Sequence, residues 1–410
     1  MRASAIHPAS HPRSDRTGAA AGCPNCGSSR FTIFHEVAGV PVHSCLLLDR
    51  ADQARAFPTG NLALGFCRSC GFIFNSAYDP AMRGYAAGYE EQQSFSPRFN
   101  GFARQLAGDL IDRYELKDKR ILEIGCGKGD FLALLCELGG NEGIGVDPAC
   151  DPQRVAGPAK GSLQWIPDYY SEAHGSLGAD LVCCRHTLEH IPNTFEFLRL
   201  VRRAIGERPE TLVFFEVPDV GRVLREIAFW DIYYEHCSYF TLGSLASLFA
   251  SCDFSVLRAR KGFDDQYLLL DARPRLASSS APPMELDLAP EETEREVERF
   301  VKGYAEKIGW WRRFLQEAGG AGKRVAIWGS SSKCVSFLTT LGIGGEIDAV
   351  VDINPYRHGK FLPGSGHQIR PPEFLRDYRP DVVILMNPIY REEVGRHLRQ
   401  MGLAPEIVAV

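Results

Sequence analysis

From Lys119 to Asp147 the chain reads KRILEIGCGKGDFLALLCELGGNEGIGVD, and the spacing of its apolar positions changes twice. A mostly apolar run at 121–124 ends in glycines at 125, 127 and 129. Apolar residues at helical spacing follow (Phe131, Leu132, Leu134, Leu135, Leu138), then Gly139-Gly140 and a second short run closed by Asp147. Short apolar runs bounded by glycine read as buried strands and the 3.6-residue spacing as a helix, so the stretch predicts strand, glycine turn, helix, strand, acid. A helix at 99–114 leads into it. Downstream the alternation predicts a strand ending near Trp165-Ile166, strands at 181–184, 211–215, 254–257 and 267–270, and a helix at 242–250. Seven strands interleaved with helices predict an α/β, doubly wound sheet. A Pro-, Ser- and Ala-rich stretch at 273–290 reads as a linker. Beyond it, Val297, Phe300, Val301, Tyr304, Ile308, Trp311, Phe314 and Leu315 place one apolar stripe on a helix at 291–317. A second strand, turn, helix, strand unit follows, with strands at 324–328, 347–351 and 381–385, and predicts a Rossmann-like α/β domain.

Composition narrows the class. At 410 residues with 45% apolar content, two or three domains with real cores are expected. The expected division is a disordered tail at 1–20, a cysteine-bearing domain at 21–80, the doubly wound domain at 81–272, the linker at 273–290, and the helix with its Rossmann-like domain at 291–410. A net charge of −5 without a basic stripe argues against nucleic acid as a partner. No window approaches 18 apolar residues and the first 20 contain no hydrophobic stretch, so neither a membrane span nor a signal peptide is predicted. Thirteen cysteines scattered through apparent cores are a reduced, cytoplasmic pattern. The pattern does not choose between a monomer and a homo-oligomer.

Candidate chemistry falls at several places. Cys23-Pro-Asn-Cys26-Gly and Cys67-Arg-Ser-Cys70-Gly supply four thiolates in two knuckles, the donor set of a closed, structural zinc site. Cys45 lies between them, beside three leucines, and reads as a buried small residue. The glycine loop has the spacing G-x-G-x-G rather than G-x-G-x-x-G, and Glu123 precedes it; a carboxylate there suits a ligand without phosphates, one carrying an ammonium group. Gly125, Gly127 and Gly129 allow a tight turn and close approach of the backbone to that ligand. Asp147 is placed to accept from both hydroxyls of a ribose, and Asp168 to meet an adenine amino group. Strand ends of an open α/β sheet line its ligand crevice, which brings in His190 after the fourth strand. The segment FWDIYYEHCSYF then offers Tyr233, Glu235 and His236, an acid/base candidate beside a carboxylate. Tyr78, Tyr85 and Tyr89 lie in a lead-in before the first large-sheet strand. In the C-terminal unit the turn Gly329-Ser330-Ser331-Ser332-Lys333 has one glycine; it reads either as a phosphate-binding loop or as a helix cap.

The stretch EIGCGKGD at 123–130 resembles motif I of the class I S-adenosylmethionine-dependent methyltransferases. Together with the knuckles, TLEHIP at 187–192, IYYEH at 232–236 and VVDINPYRHGKFLPG at 350–364, the chain resembles the sugar C-methyltransferase family that acts on nucleotide-linked 3-keto-deoxysugars. The resemblance runs from Cys23 to the C-terminus. It implies a class I methyltransferase sheet of seven strands between a small zinc-binding domain and a C-terminal Rossmann-like domain that helps hold the nucleotide. S-adenosyl-L-methionine is then the methyl donor, zinc a structural ion, and a nucleotide-linked sugar the partner. It also implies His236 as general base, with Tyr233, Glu235, His190 and an upstream tyrosine around the sugar. That tyrosine maps to Tyr89, with Tyr85 as the rival. Two departures fall near the substrate: family members commonly read TLCHI where this chain has Thr187-Leu188-Glu189-His190-Ile191, and YEEQQSFS replaces a serine-rich run. An O- or N-methyltransferase of another small natural product is the nearest alternative; an RNA methyltransferase and a non-catalytic binding protein are further ones.

Overall fold

The computed structural model describes residues 22–82, 88–155, 162–275 and 290–410. The predicted 1–20 tail, Tyr85 and most of the 273–290 linker lie outside the described residues.

The first sheet begins with β1 (Phe31–Pro41), α1 (Ala51–Arg55), β2 (Thr59–Cys67) and β3 (Ile73–Asn75), whose strands form an antiparallel meander. α2 (Pro97–Tyr114) opens on Ser96, whose hydroxyl accepts from the Phe99 N–H, and leads into the large sheet. There follow β4 (Arg120–Ile124), α3 (Asp130–Gly139), β5 (Glu142–Val146), β6 (Leu163–Ile166), β7 (Leu181–Arg185), α4 (Thr194–Ile205), β8 (Leu212–Pro218) and α5 (Val220–Glu226). β9 (Ser238–Tyr239) leaves that sheet and pairs with β3, becoming the fourth strand of the first one. α6 (Leu242–Ser251), β10 (Phe254–Gly262) and β11 (Tyr267–Pro274) complete the large sheet.

Its order, β10-β11-β8-β7-β4-β5-β6, contains the seven expected strands. β11 alone is antiparallel to its neighbours. The cause is local: only a tight turn through Phe263, Asp264 and Asp265, all at positive φ, separates it from β10, and so short a connection joins only antiparallel strands. β5 and β7 flank β4 on opposite sides, so the direction of winding reverses beside β4. A crevice opens at the C-terminal ends of strands at such a reversal.

α7 (Pro290–Gly320) crosses to the third sheet, made of β12 (Val325–Trp328), α8 (Ser332–Leu341), β13 (Ala349–Val351), β14 (Ile369–Arg370), α9 (Leu375–Tyr378), β15 (Val382–Leu385), α10 (Arg391–Gln400) and β16 (Glu406–Ala409). Its order, β14-β13-β12-β15-β16, is wholly parallel and reverses at β12. The α7 stripe buries Val297, Phe300, Ile308, Trp311 and Leu315, while Val301, one residue past Phe300, turns out to solvent. One continuous core joins β1–β3, the 220–239 segment, α7 and the third sheet. The expected 81–272 unit is therefore not self-contained: the loop that carries Tyr233 and His236 is anchored through its buried Phe229 and Trp230 in a core shared with both neighbouring units.

Candidate active site

The two cysteine knuckles meet. Cys23 Sγ lies 3.7 Å from Cys70 Sγ and Cys26 Sγ 3.7 Å from Cys67 Sγ, with all four sulfurs within 4.8 Å of one another. Four thiolates at about 2.3 Å from one zinc ion lie about 3.8 Å apart, so these donors fit a tetrahedral site without rearrangement. Gly27 and Gly71 turn each knuckle at positive φ and return their N–H to the Cys23 and Cys67 carbonyls. Cys45 belongs elsewhere, with its sulfur against Ser332 Oγ at 3.3 Å and Arg357 at 3.5 Å. The Asn25 amide donates to the Ser244 carbonyl and ties the cluster to α6 of the large sheet.

At the C-terminal end of β4 the glycine loop takes the shape that its spacing predicts. Gly125, Gly127 and Gly129 sit at φ of 68°, 53° and 82°. A Cβ on Gly125 would stand 2.0 Å from Thr187 Oγ1, and one on Gly129 2.1 Å from the Trp165 ring. The Asp147 carboxylate accepts from the Gly127 N–H at 3.0 Å and the Ala149 N–H at 2.6 Å, which leaves one further acceptor position on each oxygen. Glu123 is 3% exposed, and its Oε2 finds no donor among the described residues. Burial pushes its carboxyl up to about 8. Glu91, which sequence reasoning missed, presses against the same loop, with Oε1 2.8 Å from the position of a Cβ on Gly127. Burial raises it to about 7. Asp168 is exposed at the rim, capping the Tyr169 N–H at 2.7 Å. A buried carboxyl with one unpartnered oxygen, an acid at the end of the second strand and a loop with glycine at every second position suit a cationic nucleoside such as S-adenosylmethionine.

A cavity of about 670 Å³ runs from this loop past the 185–190 strand end to the turn after β12. Tyr89, His190, Tyr233 and His236 all line it. The His236 ring centre lies 4.2 Å from that of Tyr233 and 4.8 Å from that of His190. Burial pushes the Tyr233 phenol well up, which keeps it a hydrogen-bond donor. Tyr89 is 8% exposed and forms a β-bridge with Leu46.

Glu235 is placed otherwise than the sequence reading has it. Although it adjoins His236 in sequence, its carboxylate grips the first sheet, where it holds His43 Nδ1 at 3.1 Å and the Ser44 N–H at 2.7 Å. Its backbone carbonyl meets His190 Nδ1 at 3.0 Å. The side chains that follow each other in Tyr233-Tyr234-Glu235-His236 diverge because this loop is wedged between two sheets. The carboxylate grouped with His190 and His236 is Glu189.

Beneath them lies a buried ionic network. Glu216 accepts from Arg185 Nε at 2.7 Å and meets His186 Nε2 at 2.9 Å. Burial alone would raise Glu216, but Arg185 and His186 hold it down to about 2; His186, which burial alone would lower, is raised by Glu216 and Glu189 to about 9. His186 takes a φ of 48°, unusual for a residue with a side chain.

The third sheet closes the far wall. Lys333 is held by Asp231 at 2.6 Å, and the Ser330 N–H and hydroxyl both donate to Asp352 at 2.7 Å, so the polar turn is capped from within the protein. Asn387 and Gln266 exchange hydrogen bonds across the cavity wall. Glu90, just after Tyr89, meets Arg154 at 3.1 Å and Asn354 at 2.9 Å, and its carbonyl accepts from Arg357. No helix among the described residues is long and apolar enough to cross a membrane.

Residues 99–259 match the family described as a methyltransferase domain, and residues 288–404 the family described as the C-methyltransferase C-terminal domain. The chain is 30% identical over 392 residues to C-methyltransferase NovU of Streptomyces niveus, a match covering 91% of this chain and 90% of that protein. Among solved structures, 1,6-didemethyltoxoflavin-N1-methyltransferase of Burkholderia thailandensis, with bound S-adenosylhomocysteine, is 18% identical at a TM-score of 0.33, over 42% of this chain and 79% of that one. Magnesium protoporphyrin IX methyltransferase of Synechocystis PCC 6803 is 15% identical at a TM-score of 0.33, over 43% and 84%. Similar to NovU along nearly its whole length, the chain belongs to the S-adenosylmethionine-dependent C-methyltransferase family, with a four-cysteine cluster before the methyltransferase sheet and a Rossmann-like sheet after it.

Proposed function

We propose that the acceptor is a nucleotide-linked keto sugar, methylated at the carbon next to its ketone through an enolate that His236 generates. The observation that carries this reading is the grouping of His236, Tyr233 and His190 in one cavity with the glycine loop and Glu123. Methyl transfer to carbon needs a carbon nucleophile, and a ketone supplies one once a base removes the α proton. His236 takes that proton, and the C–H electron pair passes into the enolate. Tyr233 and Tyr89 donate to the enolate oxygen, while His190, its Nδ1–H committed to the Glu235 carbonyl, lines the cavity beside them. Bound S-adenosylmethionine would supply an electrophilic methyl group, which the enolate carbon takes as the methyl–sulfur bond breaks and its electron pair stays on sulfur. Glu123 and the glycine loop hold the cofactor, Asp147 its ribose and Asp168 its adenine. Glu235 acts by fixing the height of the loop through His43 and Ser44. The nucleotide carrier extends toward the turn after β12, where a phosphate would compete with Asp231 for Lys333.

The test uses methyl-labelled S-adenosylmethionine and a panel of nucleotide-linked keto sugars in deuterated water. Label is expected on carbon, with exchange of the α proton. His236→Ala is expected to lose both, by roughly 10²- to 10⁴-fold, while still binding cofactor. Near-normal turnover in that variant would sink the assignment of the base.

A further inference from the structure

Glu189 and His190 stand where the chain leaves β7, and His236 on the loop before β9. One ligand-capable atom of each lies within 4.8 Å of the other two. The carboxylate comes from the position at which this chain departs from the TLCHI pattern. Glu189 is 2% exposed, and its Oε2 has no hydrogen-bond partner among the described residues, while Oε1 lies 3.6 Å from His186 Nδ1. Oε1 already faces the His186 imidazole, but a second buried oxygen without a donor leaves the arrangement incomplete, and a metal ion on that oxygen would complete it.

The His190 ring is oriented for the same purpose. Its Nδ1 lies 3.0 Å from the Glu235 carbonyl. A carbonyl only accepts, so Nδ1 carries the hydrogen and Nε2 is the basic nitrogen of the neutral ring. Imidazoles that bind metals are held in this way, with the second nitrogen donating to a carbonyl or carboxylate. All three side chains line the cavity, so coordination positions not filled by the protein would open into it. Two imidazoles and a carboxylate suit a borderline divalent ion, unlike the four thiolates of the structural cluster. Ligand atoms about 2.1 Å from one ion lie about 3.4 Å apart, so closing the triad takes shifts of about an ångström.

We propose that Glu189, His190 and His236 form a second metal site for a divalent ion of the Zn²⁺ and Co²⁺ class, and that its occupation switches methyl transfer off. The second half rests on the reading of His236 as the base. An imidazole nitrogen whose lone pair is committed to a metal accepts no proton from the substrate, so the loaded site holds the enzyme in an inactive form. The existence of the site does not depend on that reading.

The test titrates Co²⁺ into the full-length enzyme with zinc retained on its cysteines, following bound metal, visible absorption and methyl transfer together. Wild type is expected to take up one equivalent beyond the cysteine-bound zinc. Weak ligand-field bands without thiolate charge transfer are expected, and methyl transfer should fall in proportion to occupancy. Glu189→Gln and His190→Ala are each expected to weaken that uptake by more than about tenfold and to leave the cysteine-bound zinc in place. Should either fail to fold by thermal melting, the other carries the comparison, and Glu189→Ala serves as a third. No uptake beyond the first metal, or uptake that ignores these substitutions, overturns the site. Triad-dependent uptake with undiminished methyl transfer overturns the switch and the base assignment together, whereas His236→Ala in metal-free buffer tests the base alone.

Discussion

Glu123 is the residue at which the cofactor leaves a measurable signature on its own. Its carboxyl is buried, stands at about 8 in the ligand-free protein, and is therefore mostly protonated at neutral pH. A bound ammonium group favours the carboxylate, so binding must expel that proton. The sign follows: affinity rises as pH rises toward 8 and levels off once the group is already ionised. Calorimetry in buffers of different ionisation enthalpy is expected to show proton release below pH 8. Glu123→Gln is expected to abolish the release and to weaken binding at least about tenfold; unchanged release would remove Glu123 from the site. Tyr233 gives a second prediction at this scale. Its phenol is pushed well up by burial, so it donates throughout the working range. Tyr233→Phe is expected to lower kcat by about 10²- to 10³-fold with cofactor affinity unchanged, since one donor to the enolate is lost.

The glycine loop is the element whose geometry is least tolerant. Gly129 combines a φ of 82° with a position where any Cβ would stand 2.1 Å from the Trp165 ring. Gly129→Ala therefore adds backbone strain of about 1–3 kcal/mol to a collision with a ring that β6 holds in place. A lower melting temperature and lost cofactor binding are expected together. Gly108, on α2, is the control: a Cβ there meets nothing within 4 Å, and Gly108→Ala is expected to leave cofactor binding unchanged and to raise stability by about 0.5–1 kcal/mol. A melting curve and a binding isotherm for the two variants separate loop geometry from a general sensitivity to substitution.

The whole molecule is held together by contacts that cross the units. The first sheet takes β9 as its edge strand, Glu235 reaches back to His43 and Ser44, and one core passes from the first sheet to the third. Removing metal from the four-cysteine cluster should therefore reach the acid/base cluster, although none of those four cysteines lines the cavity. Chelation or Cys67→Ala is expected to raise amide hydrogen exchange across 31–75 and 229–240 and to abolish methyl transfer. Full activity after zinc loss would show that the loop carrying His236 stands without the first sheet.

The strands and helices around the glycine loop and the two cysteine knuckles were legible in the sequence, because each rests on spacing within a few residues; the reversal beside β4 is a matter of strand order, which the fold decides. Five of the seven strands of the large sheet follow from apolar runs that are buried, whereas the edge strands β6 and β10 stay partly exposed. The C-terminal α10 and β16 were not read: α10 buries only Val394, Gly395 and Leu398 of ten mostly polar residues, too few to set a periodicity. Side-chain partnership was also out of reach. The Glu235 carboxylate meets a histidine 192 residues away, Lys333 an aspartate 102 residues away, and Glu91 a glycine loop that its own neighbours do not announce. Periodicity dictates which face of an element is buried, since burial of apolar surface is non-directional and repeats with the backbone. Which polar groups then face each other depends on how three sheets dock, and only the tertiary structure decides that.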